Sequence, residues 1–284
     1  MSKLVAYHTY DANSSYNYSY LSTYLVQLLS VYKWQQYNGP IKLICNKHYL
    51  EILKYLELDT IYDDIILVEY RNYDKYYYWS AAKYLAHSII AENSYVVMDM
   101  DAIYWEPFTL LEYDIVYIHK ESPHYYPYVK LFNTPFFSKI LEYPAINCGF
   151  LYFNNTQLKK DYYNITSSYT NNIINSCYTP VDHATIIEQK ILGYLVFSNP
   201  AYKHTALIEE PDPSILNYNS PSKVITHVWG YKSVLKSDPA EELKFSKRVV
   251  DRIVKDYGSV FVIKLLKNYD KLAKVSIASK LLDC

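Results

Sequence analysis

Apolar and polar positions along the chain follow two periods in turn. Residues 3–8 make a short strand-like run, and Leu21, Leu25, Leu28, Leu29 and Tyr32 then recur at helical spacing until Asn38-Gly39-Pro40 stops them. Ile41 to Cys45 reads as a second strand, residues 47–56 as a second helix, and Asp64 to Val68 as a third strand. Trp79 to Glu92 reads as a third helix, with Ala81, Ala82, Leu85, Ala86 and Ile89 on its inward face. The run Tyr95-Val96-Val97-Met98 is a buried strand, and it ends in Asp99-Met100-Asp101. This alternation predicts a parallel α/β sheet flanked by helices.

Past residue 110 the pattern loosens. Ile115 to Ile118, Cys148 to Phe153 and Val224 to Val228 read as strands, and Asp182 to Leu192 as a helix. The segment 119–146 carries Pro123, Pro127, Pro135 and Pro144 among many aromatics, which predicts a long covering loop. In the tail, Phe261, Leu265, Leu266, Tyr269 and Leu272 mark an amphipathic helix. We expect a main domain over residues 1–238 and a helical extension over 239–284 packed on it.

Charge changes the picture only at that tail. Residues 239–284 hold ten Lys/Arg against six Asp/Glu, although the chain of 284 residues has a net charge of −1. Two readings stay open: a packed helix with a solvated basic face, or a surface that docks on an acidic membrane or a partner, including a second copy of the chain. The near-neutral total argues against non-specific grip on nucleic acid. No apolar run reaches membrane-spanning length, and the N-terminus lacks a signal-peptide pattern. Cys45, Cys148, Cys177 and Cys284 form no C-x-x-C pair, so the expectation is a reducing, cytoplasmic location. The sequons at Asn13, Asn17, Asn154 and Asn164 then read as chance. Tyrosine outnumbers phenylalanine 36 to 9. Codon bias of a low-GC genome, viral (then placing the protein in host cytoplasm) or microbial, explains most of that excess. Aromatic platforms for sugars or bases would account for a few positions.

The chemistry gathers at Asp99 and Asp101. Alternate side chains of a strand point the same way, so this pair can face one site. Two hard oxygen ligands at a strand end suit Mg²⁺ or Mn²⁺ and the phosphates it carries. His227 closes a late strand and is a candidate third ligand, or else a core or surface histidine.

In order, the chain presents strand-1 aromatics, Trp79-x-x-x-Lys83, Asp99-x-Asp101, Asn147-x-Gly149, Glu188-Gln189 and His227-x-x-Gly230. That order resembles the nucleotide-sugar glycosyltransferases of the GT-A fold, over roughly residues 1–235. The resemblance implies a Rossmann-like, mixed but mainly parallel sheet and a metal-dependent transfer of sugar from a nucleotide-diphosphate donor, a UDP-sugar first among them. The acceptor would be a hydroxyl of a glycan or protein, and segment 119–146 would shape its side of the site. It implies that Asp101 holds the metal and that Asp99 contacts the metal or the donor ribose. Asn147 would bond a sugar hydroxyl and Gly149 would leave room for it; a turn and a bulge entering a strand is the plain alternative. Gly230 would let backbone approach phosphate, and Lys232 and Lys83 would pair with the diphosphate. Glycogenin-like members carry His-x-x-Gly-x-x-Lys, whereas this chain is one residue shorter, which puts Lys232 in question. Tyr7, His8 and Tyr10 would stack on or line the base, or simply pack. Asp182, Glu188 and Gln189 would act as base or orient the donor sugar; Asp182 is equally an N-cap. Retention or inversion stays open.

Two rivals remain. A phosphatase of the haloacid dehalogenase class also ends a strand in Asp-x-Asp, but its later acidic motif is absent downstream and Asp63-Asp64 lies upstream. A GT-A-like domain that binds nucleotide-sugar or glycan without turnover would keep the same ligands.

Overall fold

The structure is a computed structural model that describes residues 3–10, 20–69, 81–121, 139–140, 142–173, 186–208, 224–228, 231–274 and 281. Strand β1 (Val5–Tyr10) leads to helix α1 (Leu21–Tyr37), β2 (Ile41–Cys45), α2 (Lys47–Leu56), β3 (Asp64–Leu67), α3 (Ala81–Ile89) and β4 (Tyr95–Met98). The chain continues through β5 (Ala102–Tyr104), β6 (Ile115–Tyr117), β7 (Lys120–Glu121), β8 (Ala145–Ile146) and β9 (Phe150–Phe153). Then come α4 (Thr156–Ile173), a π turn at Ile186–Lys190, α5 (Ile191–Ser198), β10 (His204–Ala206) and β11 (Ile225–His227). Helices α6 (Lys232–Ser237), α7 (Pro239–Tyr257) and α8 (Val260–Ala273) follow.

Local chemistry explains the boundaries. Asn46 caps α2 by accepting from the Tyr49 amide at 2.9 Å, and Asp238 caps α7 by accepting from the Ala240 and Glu241 amides, with Pro239 at the first helical position. Gly258 ends α7 at φ +83°, a conformation that an L side chain resists.

Seven strands form one sheet in the order β10-β6-β9-β4-β1-β2-β3. All neighbours run parallel except β9, which is antiparallel to both β4 and β6. The sheet is therefore mixed and mainly parallel, as expected. The residues of β4 and β9 are all buried, because helices cover both faces. Ala6, Val96 and Phe150 look toward α1, α7 and α8; Tyr7, Val97 and Leu151 look toward α3, α4 and α5. After β3 the chain returns to the far side of β1, so the strand order reverses between β1 and β4. Open α/β sheets bind ligands beyond the carboxyl ends of strands at such a reversal.

Several expectations need correction. The first strand lies at residues 5–10 rather than 3–8. In α3 the buried positions include Ala82, Lys83, Tyr84, Ala86 and His87, while Ile89 is exposed. Polar Lys83 and His87 turn inward because each finds partners there, an option that an apolar-periodicity count cannot register. The segment read as one covering loop contributes β7 and β8, which pair with each other, and residues 122–138 lie outside the described set. Phe261 and Leu272 of the tail helix are exposed, while Leu265, Leu266 and Tyr269 are buried. The tail is held to the main body by Lys33 against Asp256 at 2.8 Å, by Glu242 accepting from the Ser22 amide, and by Tyr257 donating to Gln36. Among the described residues no helix is long and apolar enough to cross a membrane.

His87 carries a pH signature. Its ring is buried against Phe153 and Tyr162, and Nδ1 lies 2.7 Å from the Tyr95 hydroxyl. Burial, with help from Lys159 and Lys83, lowers its pKa to about 3. A histidine depressed in the folded state stabilises above its unfolded pKa, and that contribution is lost as pH falls from there toward 3. At pH 5 the loss amounts to roughly 2 kcal/mol. Urea titrations at pH 7 and pH 5 should therefore show a smaller drop in stability for His87→Phe than for the parent. Equal drops would place the acid sensitivity elsewhere.

Candidate metal and donor site

The site is built where β4 ends. Asp99 and Asp101 lie in the turn that links β4 to β5, and two backbone bonds hold the turn. The Asp99 amide donates to the Gly149 carbonyl at 2.8 Å, and the Ala102 amide to the Asp99 carbonyl at 3.0 Å. Strand β5 pairs antiparallel with β11, which sets His227 opposite Ala102. The Val228 amide then reaches the Asp101 carbonyl at 3.2 Å. Residues far apart in sequence are thus registered by a short two-stranded ribbon.

The three candidate ligands converge. His227 Nε2 lies 3.3 Å from Asp99 Oδ2 and 3.8 Å from Asp101 Oδ1, and one ligand atom from each residue lies within 4.8 Å of the others. Each carboxylate gives its other oxygen to a lysine: Asp99 Oδ1 to Lys83 Nζ at 2.9 Å, and Asp101 Oδ2 to Lys232 Nζ at 2.9 Å. Both ring nitrogens of His227 lack a hydrogen-bond partner although the side chain is only 9% exposed. A buried imidazole without partners, facing two carboxylate oxygens, fits a divalent cation, since an ion would satisfy all three at once.

Gly149 makes this approach possible. A Cβ there would sit 2.3 Å from Cε1 and 2.8 Å from Nε2 of His227, inside contact distance. The glycine's amide donates to Asn147 Oδ1 at 3.0 Å, and Asn147 Nδ2 donates to Glu121 Oε1 at 2.7 Å. Asn147 and Glu121 are both buried. The Asn-x-Gly turn is thereby locked from behind by a carboxylate that sequence reading overlooked. Glu121 lay in the segment read as loop, and nothing local marks it.

Lys83 is buried and meets three acceptors: Asp99, Glu188 Oε1 and the Cys148 carbonyl, the last at 3.1 Å. Burial pushes Lys83 down, but the Asp99 and Glu188 carboxylates outweigh it and hold the ammonium above its ordinary value. Burial likewise pushes Asp99 up, and Lys83, with His227 and Lys232, outweighs that and keeps it well below the usual carboxylate range. Glu188 is fully buried; burial raises its pKa, to about 7, against the partial offset from Lys83. The Glu188 carbonyl accepts from the Tyr162 hydroxyl at 3.1 Å.

A second polar chain braces the turn from the α1 side. Tyr49 donates to Gln27 at 2.9 Å, Gln27 donates to the Tyr62 hydroxyl at 2.7 Å, and that hydroxyl lies 2.8 Å from His8 Nδ1. His8 Nε2 lies 3.1 Å from Ser30 Oγ, which donates to the Ala102 carbonyl. One direction of donation runs through the chain if His8 is neutral and protonated on Nε2. Burial, against the opposing pull of Asp99 and Asp101, lowers its pKa to about 3 and keeps it neutral.

The structure therefore brings together Asp99, Asp101, His227, Lys83, Lys232, Asn147, Gly149 and Glu188. Gln189 follows in the π turn and is partly exposed. Tyr10 ends β1 with its ring 4.1 Å from that of Tyr49. Tyr7 and His8 are placed differently from a base platform. Tyr7 is buried under α3 and donates its hydroxyl to Glu92 at 2.6 Å, and His8 is buried in the relay above. Packing with saturated polar atoms, the plainer of the two sequence readings, describes both. Asp182, Gly230 and Trp79 lie outside the described residues.

No protein-family model and no curated protein sequence matches the chain. Among solved structures it is similar to the apo-form glycosyltransferase GlyE of Streptococcus pneumoniae, at 11% identity and TM-score 0.40 over 72% of this chain and 45% of that one. It is similar to the apo form of mouse xyloside xylosyltransferase 1, at 10% identity and TM-score 0.40 over 72% and 84%. It is also similar to the galactosyltransferase LgtC in complex with donor and acceptor sugar analogs, at 12% identity and TM-score 0.40 over 65% and 70%. The chain thus spans less than half the length of GlyE.

Proposed function

We propose that the protein is a GT-A-type glycosyltransferase that moves a sugar from a nucleotide-diphosphate donor, a UDP-sugar, to a hydroxyl of a glycan or protein. The observation that carries this reading is the convergence of Asp99 Oδ2, Asp101 Oδ1 and His227 Nε2 beside the strand-order reversal. Mn²⁺ or Mg²⁺ held there would supply Lewis-acid stabilisation of the departing diphosphate. Lys232, a quarter exposed at the rim, is placed to pair with phosphate oxygens once Asp101 turns to a cation. Lys83 is saturated by protein acceptors, so its part is to fix Asp99 rather than to reach the donor. Asn147 likewise orients the Gly149 turn with both ends of its amide. Glu188 stands behind Lys83, and Gln189 and Asp182 are the remaining candidates for orienting donor or acceptor. Tyr10, at the end of β1, is the aromatic best placed to meet a base.

A panel of nucleotide-sugars with Mn²⁺, assayed for released nucleoside diphosphate in the presence of simple sugar acceptors, tests the reading. Release from one donor that stops on chelation of the metal is expected. Binding of a nucleotide-sugar without release under any acceptor would favour the non-catalytic domain. Phosphate release from phosphomonoesters would favour the phosphatase.

A further inference from the structure

The outer face of α8 gathers features that the transfer site leaves unexplained. Lys264, Lys267 and Lys271 are spaced three or four residues apart and form one exposed stripe, and exposed Lys274 follows at the C-terminal cap of the helix. Beside it stand three partly exposed large apolar side chains: Val260 at 65% exposure, Leu272 at 45%, and Phe261 at 42% with its ring edge-on to Tyr32. Val260 is more exposed than any other large apolar side chain among the described residues, so this face departs from an ordinary solvated helix. The opposite face, with Val262, Leu265, Leu266 and Tyr269, is buried against the body, which fixes the stripe outward.

Neighbouring charges sharpen the contrast. On α7 three of the cations pair locally: Lys244 and Arg248 with Glu241, and Arg252 with Asp256. On α8 only Lys264 is paired, at 3.1 Å from Glu57 of the α2 C-terminus, where Asn268 also donates to Glu57. Among the described residues Lys267, Lys271 and Lys274 form no ion pair. Asp270, the one carboxylate of α8, is half-buried and follows Lys267 by three residues, at the edge of the stripe.

We propose that this face of α8 docks the protein on an anionic lipid bilayer. The lysines would meet headgroup charge, and Phe261, Val260 and Leu272 would enter the boundary between headgroups and acyl chains. A flat stripe of cations with flanking apolar side chains matches a bilayer surface. The proposal is independent of the transferase reading, since it concerns a separate face and needs no turnover.

Co-sedimentation of the full chain with phosphatidylcholine vesicles, with and without phosphatidylserine, tests it. Binding should require phosphatidylserine and weaken as salt rises. The double variant Lys267→Glu with Lys271→Glu should bind at least about a hundredfold more weakly, given roughly a fivefold change in partitioning for each charge. Phe261→Ser should weaken binding by roughly tenfold through lost apolar burial. All substituted positions are exposed, and circular dichroism should confirm an unchanged fold. Absence of binding to anionic vesicles at low salt would overturn the proposal, as would binding that survives the double reversal. Heparin binding as tight as vesicle binding, and indifferent to Phe261→Ser, would also overturn it in favour of a soluble polyanion.

Discussion

Asp101→Asn is expected to abolish metal-dependent turnover, with a loss of about a thousandfold or more. The substitution keeps shape and removes one charge. In the parent, Asp101 Oδ1 faces His227 Nε2 at 3.8 Å while Oδ2 is held by Lys232 at 2.9 Å. With an amide there, the cation loses an anionic ligand, and Lys232 loses its counter-charge beside the site. A Lewis acid on the leaving diphosphate is worth several kcal/mol in the transition state. At about 1.4 kcal/mol for each factor of ten, the thousandfold figure follows. Calorimetric titration with Mn²⁺ should show affinity falling in parallel, while thermal unfolding without metal changes little. Turnover and Mn²⁺ affinity both within about threefold of the parent would sink the assignment of Asp101 as a ligand.

The second large effect should come from a single methyl group. Gly149→Ala places a Cβ 2.3 Å from His227 Cε1, and neither partner can yield cheaply. The Gly149 backbone is tied to Asp99 and Asn147, and His227 is fixed by the β5–β11 ladder. The ring must leave its place or the turn must shift. Overpacking of this kind costs roughly 1–3 kcal/mol of stability, and the displaced imidazole should lower Mn²⁺ affinity by about tenfold or more. The cycle with His227→Ala isolates the cause. In that background the added methyl meets the space vacated by the ring, so Gly149→Ala should then cost little. Equal costs in both backgrounds would show that the glycine serves something other than the approach of His227.

Much of the framework was legible in the chain because it rests on local periodicity. β2, α2, β4 and β11 lie where apolar runs and helical spacing place them, and a parallel α/β sheet follows from their alternation. Asp99 and Asp101 could be singled out because a buried strand ending in two carboxylates has few uses other than holding charge. The misreadings share one cause. Lys83 reads as a partner for diphosphate and His87 carries no local signal, yet both are buried, because Asp99 and Glu188 neutralise one and the Tyr95 hydroxyl lies 2.7 Å from the ring of the other. His8 and Tyr7 looked available for a ligand, yet Ser30, Tyr62 and Glu92, from other parts of the chain, occupy their polar atoms.

The sequence by itself determined the strand and helix alternation, the carboxylate pair at the end of β4, and the surplus of positive charge in the tail. Each depends only on residues near one another in the chain. The tertiary structure alone decided that His227 faces Asp99 and Asp101, since the β5–β11 pairing sets that register. It alone made Lys83 an internal counter-ion and put Glu121 behind the Asn147 turn. It also turned the lysines of α8 to one side, where among the described residues Lys264 alone of them forms an ion pair, with Glu57. A charge or a hydrogen bond acquires its role from partners brought near by packing, and no local pattern encodes which partners those will be.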